Sequence, residues 1–203
     1  MIPRFSIQEN RVQPRGGRGL GAGIRRALGW ILIAGLLAGP GRPALGQASL
    51  PEPEVKALFL FNFAKYVDWP ADSFASASDA LTIGIIGHNI CTECLQKAVE
   101  GKKVSGRSVV VRQIEKPEEI LACQLVFVSD SEKRHLEDIF NQLHSRPVLV
   151  VGDSEKFARQ GGVIGFVKKD GKVRLEVNLN AARKARLEIS SKLLAVADEV
   201  IGR

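Results

Sequence analysis

The sequence predicts an α/β domain with a mostly parallel sheet covered by helices on both faces. Three observations carry that prediction. Between residues 81 and 178, short apolar runs of strand length recur. Segments with helical spacing or turn residues separate them. Late in the chain, Lys169-Asp170-Gly171 joins two such runs directly, a hairpin signal that adds an antiparallel edge. Strands alternating with helices are the pattern of a sheet buried on both sides.

Pro51-Glu52-Pro53-Glu54 opens the domain, proline being well suited to a first helical turn. Residues 55–69 follow as a helix. Ala57, Leu60, Phe61, Ala64 and Val67 repeat at helical spacing, Asn62, Lys65 and Asp68 take another face, and Phe59 and Phe63 widen the apolar side. Pro70 ends it. Strands are predicted at 81–87, 108–114, 124–129, 148–153, 163–168 and 172–178. Helices are predicted at 91–100, 117–121, 132–143, 155–160, 179–186 and 190–201. Ser129 and Glu132 have capping-box spacing, and Gly161-Gly162 stops the helix before it. The architecture is a three-layer, Rossmann-like sandwich of about six strands.

The net charge of +7 points at first to a nucleic-acid or membrane partner. Its distribution removes that implication. Residues 1–46 hold seven arginines against Glu9 alone, and the remainder holds 22 basic and 21 acidic residues. The basic segment reads as a cleavable secretion signal. A basic stretch ends at Arg25-Arg26, an apolar stretch runs from Ala27 to Ala38, and Pro40, Gly41 and Pro43 precede the small-x-small tripeptide Ala44-Leu45-Gly46. The apolar stretch is shorter than the roughly 20 residues a stable span needs. Cleavage is expected after Gly46 or after Ala48, the alternative being an uncleaved anchor. Residues 47–53 are then a short linker and 54–203 the domain, exported to the periplasm.

No motif carries obvious chemistry. Gly101 to Ser108 nearly matches the phosphate loop G-x-x-x-x-G-K-[ST], but Arg107 replaces the lysine. The stretch also precedes a strand instead of following one and opening a helix, so it reads as a surface turn. His88, His135 and His144 lack metal-ligand spacing, and no cofactor is expected. Cys91 and Cys94 sit where a helix begins, a position that stabilises thiolates. They offer a thiol oxidoreductase reading, a local disulfide, a disulfide of one of them with Cys123, or free thiols. The strand C-termini bring Gly87-His88-Asn89, Ser129-Asp130-Ser131 and Gly152-Asp153-Ser154 to one edge. Open α/β sheets bind ligands there, so His88, Asn89, Asp130 and Asp153 are candidates for a small-molecule or partner site. The same residue types also serve as helix caps.

The ordered set of segments resembles the YfiR-like periplasmic proteins. The opening helix from Glu54 to Pro70 carries the resemblance, with Phe61, Asn62, Phe63, Trp69 and Pro70 as its signature. So do residues 83–87, 101–107, 123–128, 147–153 and 161–167, then 173–179 with Asn178 and Leu179, and 189–194. The resemblance covers about residues 54–197. It implies a non-enzymatic regulator that holds down an inner-membrane diguanylate cyclase (YfiN) or a comparable sensor kinase by contact in the periplasm. It also implies relief by an outer-membrane lipoprotein, YfiB, a tendency to dimerise, and an output in cyclic di-GMP and hence biofilm or motility. The chain departs from the family's best-known member in having no cysteine pair near residues 161–172, so redox tuning of that kind does not carry over.

Overall fold

The computed structural model describes residues 50–203 apart from Asn89; the leader reading of residues 1–46, linker residues 47–49 and the Asn89 candidate lie outside the described residues. Ten strands and five α-helices are formed among the described residues, in place of the six strands expected. Eight strands make the central sheet. They are β2 (Leu81–Ile86), β3 (Lys103–Val104), β4 (Arg107–Gln113), β5 (Leu125–Val128), β6 (Leu149–Gly152), β7 (Ile164–Lys169), β8 (Lys172–Asn178) and β10 (Glu199–Ile201). Their order across the sheet is β10-β8-β7-β6-β5-β2-β4-β3. The five inner strands β7, β6, β5, β2 and β4 run parallel, and β7–β8 is the antiparallel hairpin. Asp170 and Gly171 take φ of 52° and 70°, as its tight turn requires. A separate ribbon pairs β1 (Val67–Asp68) with β9 (Glu188–Ile189). The additional strands are two or three residues long, too short for an alternation pattern.

Side-chain alternation divides the core in two. Ile83, Ile85, Leu125, Phe127, Leu149 and Val151 face α1 (Glu52–Tyr66) and α2 (Thr92–Val99). Val126, Val128, Val148 and Val150 face α3 (Leu136–Gln142) and the turn that holds Phe157. α2 therefore covers one face and α3 the other. The chain leaves β2 through α2 to β4 on one side, then crosses to β5 and continues through α3 to β6 on the other. The sheet is doubly wound, and its strand order reverses between β2 and β5.

Several helix boundaries differ from expectation, each for a local reason. α1 stops at Tyr66, because Val67 is extended (φ −119°, ψ 136°) and Val67–Asp68 give their backbone groups to β9. Residues 155–160 form turns, since Lys156 has φ of 59° and cannot continue a helix. Pro117–Ala122 and Asp130–His135 are 3-10 segments, the second leading into α3. The capping box at Ser129 is not formed. Ser129 Oγ accepts from the Ser131 N–H, but Glu132 accepts from Ser131 Oγ, and the Ser129 N–H goes to the Ile86 carbonyl. The closing stretch divides into α4 (Leu179–Lys184), α5 (Ser191–Ala195) and β10, which lies parallel to β8. Lys103–Val104 pairs with Arg107–Ser108, so the near-match to a phosphate loop is the turn of a small hairpin. Among the described residues no helix is long and apolar enough to cross a membrane.

Candidate functional site

The strand-end edge splits into two environments. At the first, Asp153 follows β6 and its side chain is almost fully buried. Its Oδ2 accepts from Lys56 Nζ at 2.6 Å, and its Oδ1 accepts from the Asp130 N–H at 2.6 Å. Lys56 is also buried, and it pairs with Glu52 at 2.9 Å, which pairs in turn with Lys168 at 3.1 Å. Burial opposes the Lys56 charge, but the hydrogen bonds it donates to Asp153 and Glu52 outweigh that and hold the ammonium above the usual lysine range. The hydrogen bonds that Glu52 accepts, from Lys56 and then Lys168, hold it below the usual glutamate range. Asp153 is thus engaged inside the protein, tying α1 to the end of β6 and to the loop after β5. The Asp130 carboxylate is exposed and faces Lys133 at 3.4 Å.

The second environment is a cleft of about 650 Å³ at the C-terminal ends of β2 and β4. Its floor is Ile86, Ile114, Ile120 and Ile139, and its rim carries His88, Glu115, Lys116, Glu132, His135 and Asp138. Gln113 Nε2 donates to the Gly87 carbonyl at 3.1 Å and fixes one wall. Gly87 needs its φ of 80°, and a Cβ there would meet Ser131 Oγ at 2.4 Å, so the loops after β2 and β5 touch at this point. The cleft borders the reversal of strand order between β2 and β5, the region in which doubly wound sheets take ligands. An apolar floor with a few polar groups, in this size range, is the form of a small-molecule site. The structure therefore separates the predicted residues: Asp130 and Asp153 meet, while His88 lies in the cleft with Glu132 and His135, which the sequence reading did not join to it.

Cys91 and Cys94 form a disulfide across the first turn of α2, and Cys91 Sγ accepts from the Cys94 N–H. The Cys91 N–H reaches the Pro53 carbonyl, which ties this turn to the start of α1. Cys123 is buried with a free thiol against Gly84, and burial pushes its pKa up to about 11. In denaturant without reductant, a thiol reagent should find one thiol per chain, and three after reduction. The native protein at neutral pH should show essentially none over an hour; labelling of Cys123 at the rate of a free peptide thiol would contradict its burial.

The remaining signature residues have structural tasks. Phe63 is fully buried and stacks on Phe166 at 5.7 Å between centroids. Phe61 lies under Lys65 Nζ at 5.5 Å, and Asn62 lines a separate shallow cleft between α1 and β8. Trp69 Nε1 donates to the Gln124 carbonyl at 3.0 Å, and Pro70 caps the short 3-10 turn Ala71–Ser73. Asn178 caps α4, where its Oδ1 accepts from the Ala181 N–H and its Nδ2 donates to the Ala158 carbonyl; Leu179 begins that helix.

The family model described as YfiR/HmsC-like matches residues 53–198, which is the described domain almost end to end. Among curated proteins none is significantly similar to the chain. Two solved structures are similar to it: the ABC domain in complex with L-Trp from Streptococcus pneumonia and a conserved domain protein from Vibrio cholerae O1 biovar El Tor. The first is 14% identical, with 73% of this chain and 60% of that one covered and a TM-score of 0.45. The second is 14% identical, with 59% and 54% covered and a TM-score of 0.41. The chain spans less than two thirds of either structure. With the family model matched across residues 53–198, nearly the whole described domain, this chain belongs to the YfiR/HmsC-like family.

Proposed function

We propose that this chain is an exported envelope protein that regulates an inner-membrane signalling protein, a diguanylate cyclase or a sensor kinase, by contact outside the cytoplasm. The observation that carries this reading is membership of a regulatory, periplasmic family over residues 53–198. The leader features of residues 1–46 support it from the sequence. The near-neutral charge of the remainder fits a protein partner better than nucleic acid. An outer-membrane lipoprotein as the competing partner and a homodimer as the working form belong to the same proposal. Cross-linking in intact cells, followed by mass spectrometry, tests it. The expected conjugate is an inner-membrane protein with a periplasmic domain and a cytoplasmic signalling domain. Conjugates confined to outer-membrane or soluble proteins would count against it.

A second reading is favoured by one observation, the cleft at the strand-order reversal: a small molecule seated there modulates the partner contact. Thermal-shift screening tests it, with a hit expected to lose at least half its shift in Glu132→Ala. A shift unaltered in both Glu132→Ala and His88→Ala would remove the cleft from consideration.

A further inference from the structure

We propose that a second cleft, on the same face of the sheet but beyond the C-terminal end of α3, binds a small organic anion with an apolar body. The head group it fits is a carboxylate or a phosphate monoester. The cleft has a volume of about 370 Å³ and lies over β6, between the end of α3, the turn at residues 159–161 and α4. Leu143, Val148, Val150 and Val163 contribute apolar, buried side chains to its lining. Its charged lining has one sign. Arg146, Arg159 and Lys184 border it together with His144, and among the described residues no Asp or Glu lines it. The chain beyond residue 46 has basic and acidic residues in nearly equal number, so this segregation is local.

The cations differ in availability. Arg159 is engaged by Glu199 of β10. Arg146 and Lys184 enter no ion pair among the described residues. Asn180 Oδ1 accepts from Arg183 at 3.1 Å, which leaves the Asn180 N–H groups as donors for a ligand. The carbonyls at the end of α3 would repel an anion if they were bare, since that end carries the negative pole. Three of them are engaged: the Leu143, His144 and Arg146 N–H groups donate to the carbonyls of Ile139, Asn141 and Leu143. A guanidinium fork, an ammonium and an amide donor above an apolar floor recognise a carboxylate or phosphate on a hydrocarbon body. The volume is within the usual range for small-molecule sites. This site is separate from the cleft at the strand-order reversal and does not rest on the partner reading.

The test is an amide-resolved NMR titration of the purified protein at fixed ionic strength. The probes are phenyl phosphate, benzoate, benzylamine and phosphatidylglycerol vesicles. Phenyl phosphate and benzoate should shift Gly161, Ala181 and Lys184 saturably, and benzylamine should not. Arg146→Glu or Lys184→Glu should weaken binding at least tenfold, whereas the charge-matched Lys97→Glu on α2 should change it less than twofold. Should a glutamate variant fail to fold, Arg146→Gln and Lys184→Gln should still weaken binding at least threefold. The proposal is overturned by the absence of a saturable shift, by equal weakening in Lys97→Glu, or by binding of the vesicles alone.

Discussion

Asp153→Ala is expected to destabilise the domain by about 3–5 kcal/mol, because it strands the buried Lys56 ammonium without its closest counter-charge. Part of that cost comes from the Asp130 N–H, which loses its acceptor. Asp153→Asn separates the two contributions, since the amide oxygen can still accept from that N–H. The double variant Lys56→Met/Asp153→Asn removes both charges while keeping the acceptor. It should recover most of the loss, because a buried pair of charges is often no more stable than an apolar replacement. Chemical denaturation of the wild type, Lys56→Met, Asp153→Asn and the double variant gives the coupling directly. Additive losses in the double variant would contradict a buried, mutually dependent pair. The pH dependence has a definite sign. The Lys56 pKa is raised on folding, so its contribution is fully present below the ordinary lysine range and is lost as the pH climbs through the raised value. Glu52, lowered on folding, contributes above the ordinary glutamate range and loses that contribution as the pH falls; its partial exposure keeps the effect small.

The second large effect is expected at the other end of the same connection. The Phe157 ring is fully buried, and it lies over two glycines. A Cβ on Gly152 would meet Phe157 ring carbons at 2.3 Å, and a Cβ on Gly162 would meet them at 2.1 Å. Neither glycine needs a left-handed backbone, so the requirement is purely steric. Phe140 closes the remaining side, with ring centroids 5.7 Å apart and planes inclined at 59°. Gly162→Ala should therefore cost about 1–3 kcal/mol through overpacking, and Phe157→Ala about 3–5 kcal/mol through the cavity it leaves. Phe157→Leu should partly rescue Gly162→Ala, because a smaller side chain makes room for the methyl group. Melting temperatures of the three variants and the pair test this. A tolerated Gly162→Ala with unchanged melting would show that the ring is not confined as described.

These two sites also show where the sequence was legible. The long apolar runs at 81–86, 125–128 and 149–152 are visible as buried strands, because a strand covered on both faces has no polar side to interrupt it. The hairpin at 164–178 is legible from Asp170-Gly171, whose backbone demands few other residues meet. Gly161-Gly162 was legible only as a helix stop. That Gly162 accommodates Phe157 depends on a ring folded back from five residues earlier, which no periodicity reports. Lys56 left a usable signal: it stands four residues before Leu60 and seven before Phe63, on the buried stripe of α1. A lysine there needs a buried partner, but the partner is 97 residues away in the sequence. The candidate edge was half legible for the same reason. Strand ends collect Ser, Asp and His residues, while the split into an ion pair and a cleft depends on which helix packs over each. The basic cleft was invisible, because Arg146, Arg159 and Lys184 come from three separate connections.

As a proposed signalling regulator acting by contact from outside the cytoplasm, the chain should need its leader to work. The most direct measurement is the cyclic di-GMP content of a deletion strain carrying either the full chain or a version lacking residues 1–46. Loss of an inhibitory regulator should raise cyclic di-GMP several-fold. The full chain should restore the parental level, and the leaderless version, held in the cytoplasm, should not. Unchanged cyclic di-GMP on deletion would contradict a cyclase as the target, and equal restoration by the leaderless version would contradict action outside the cytoplasm.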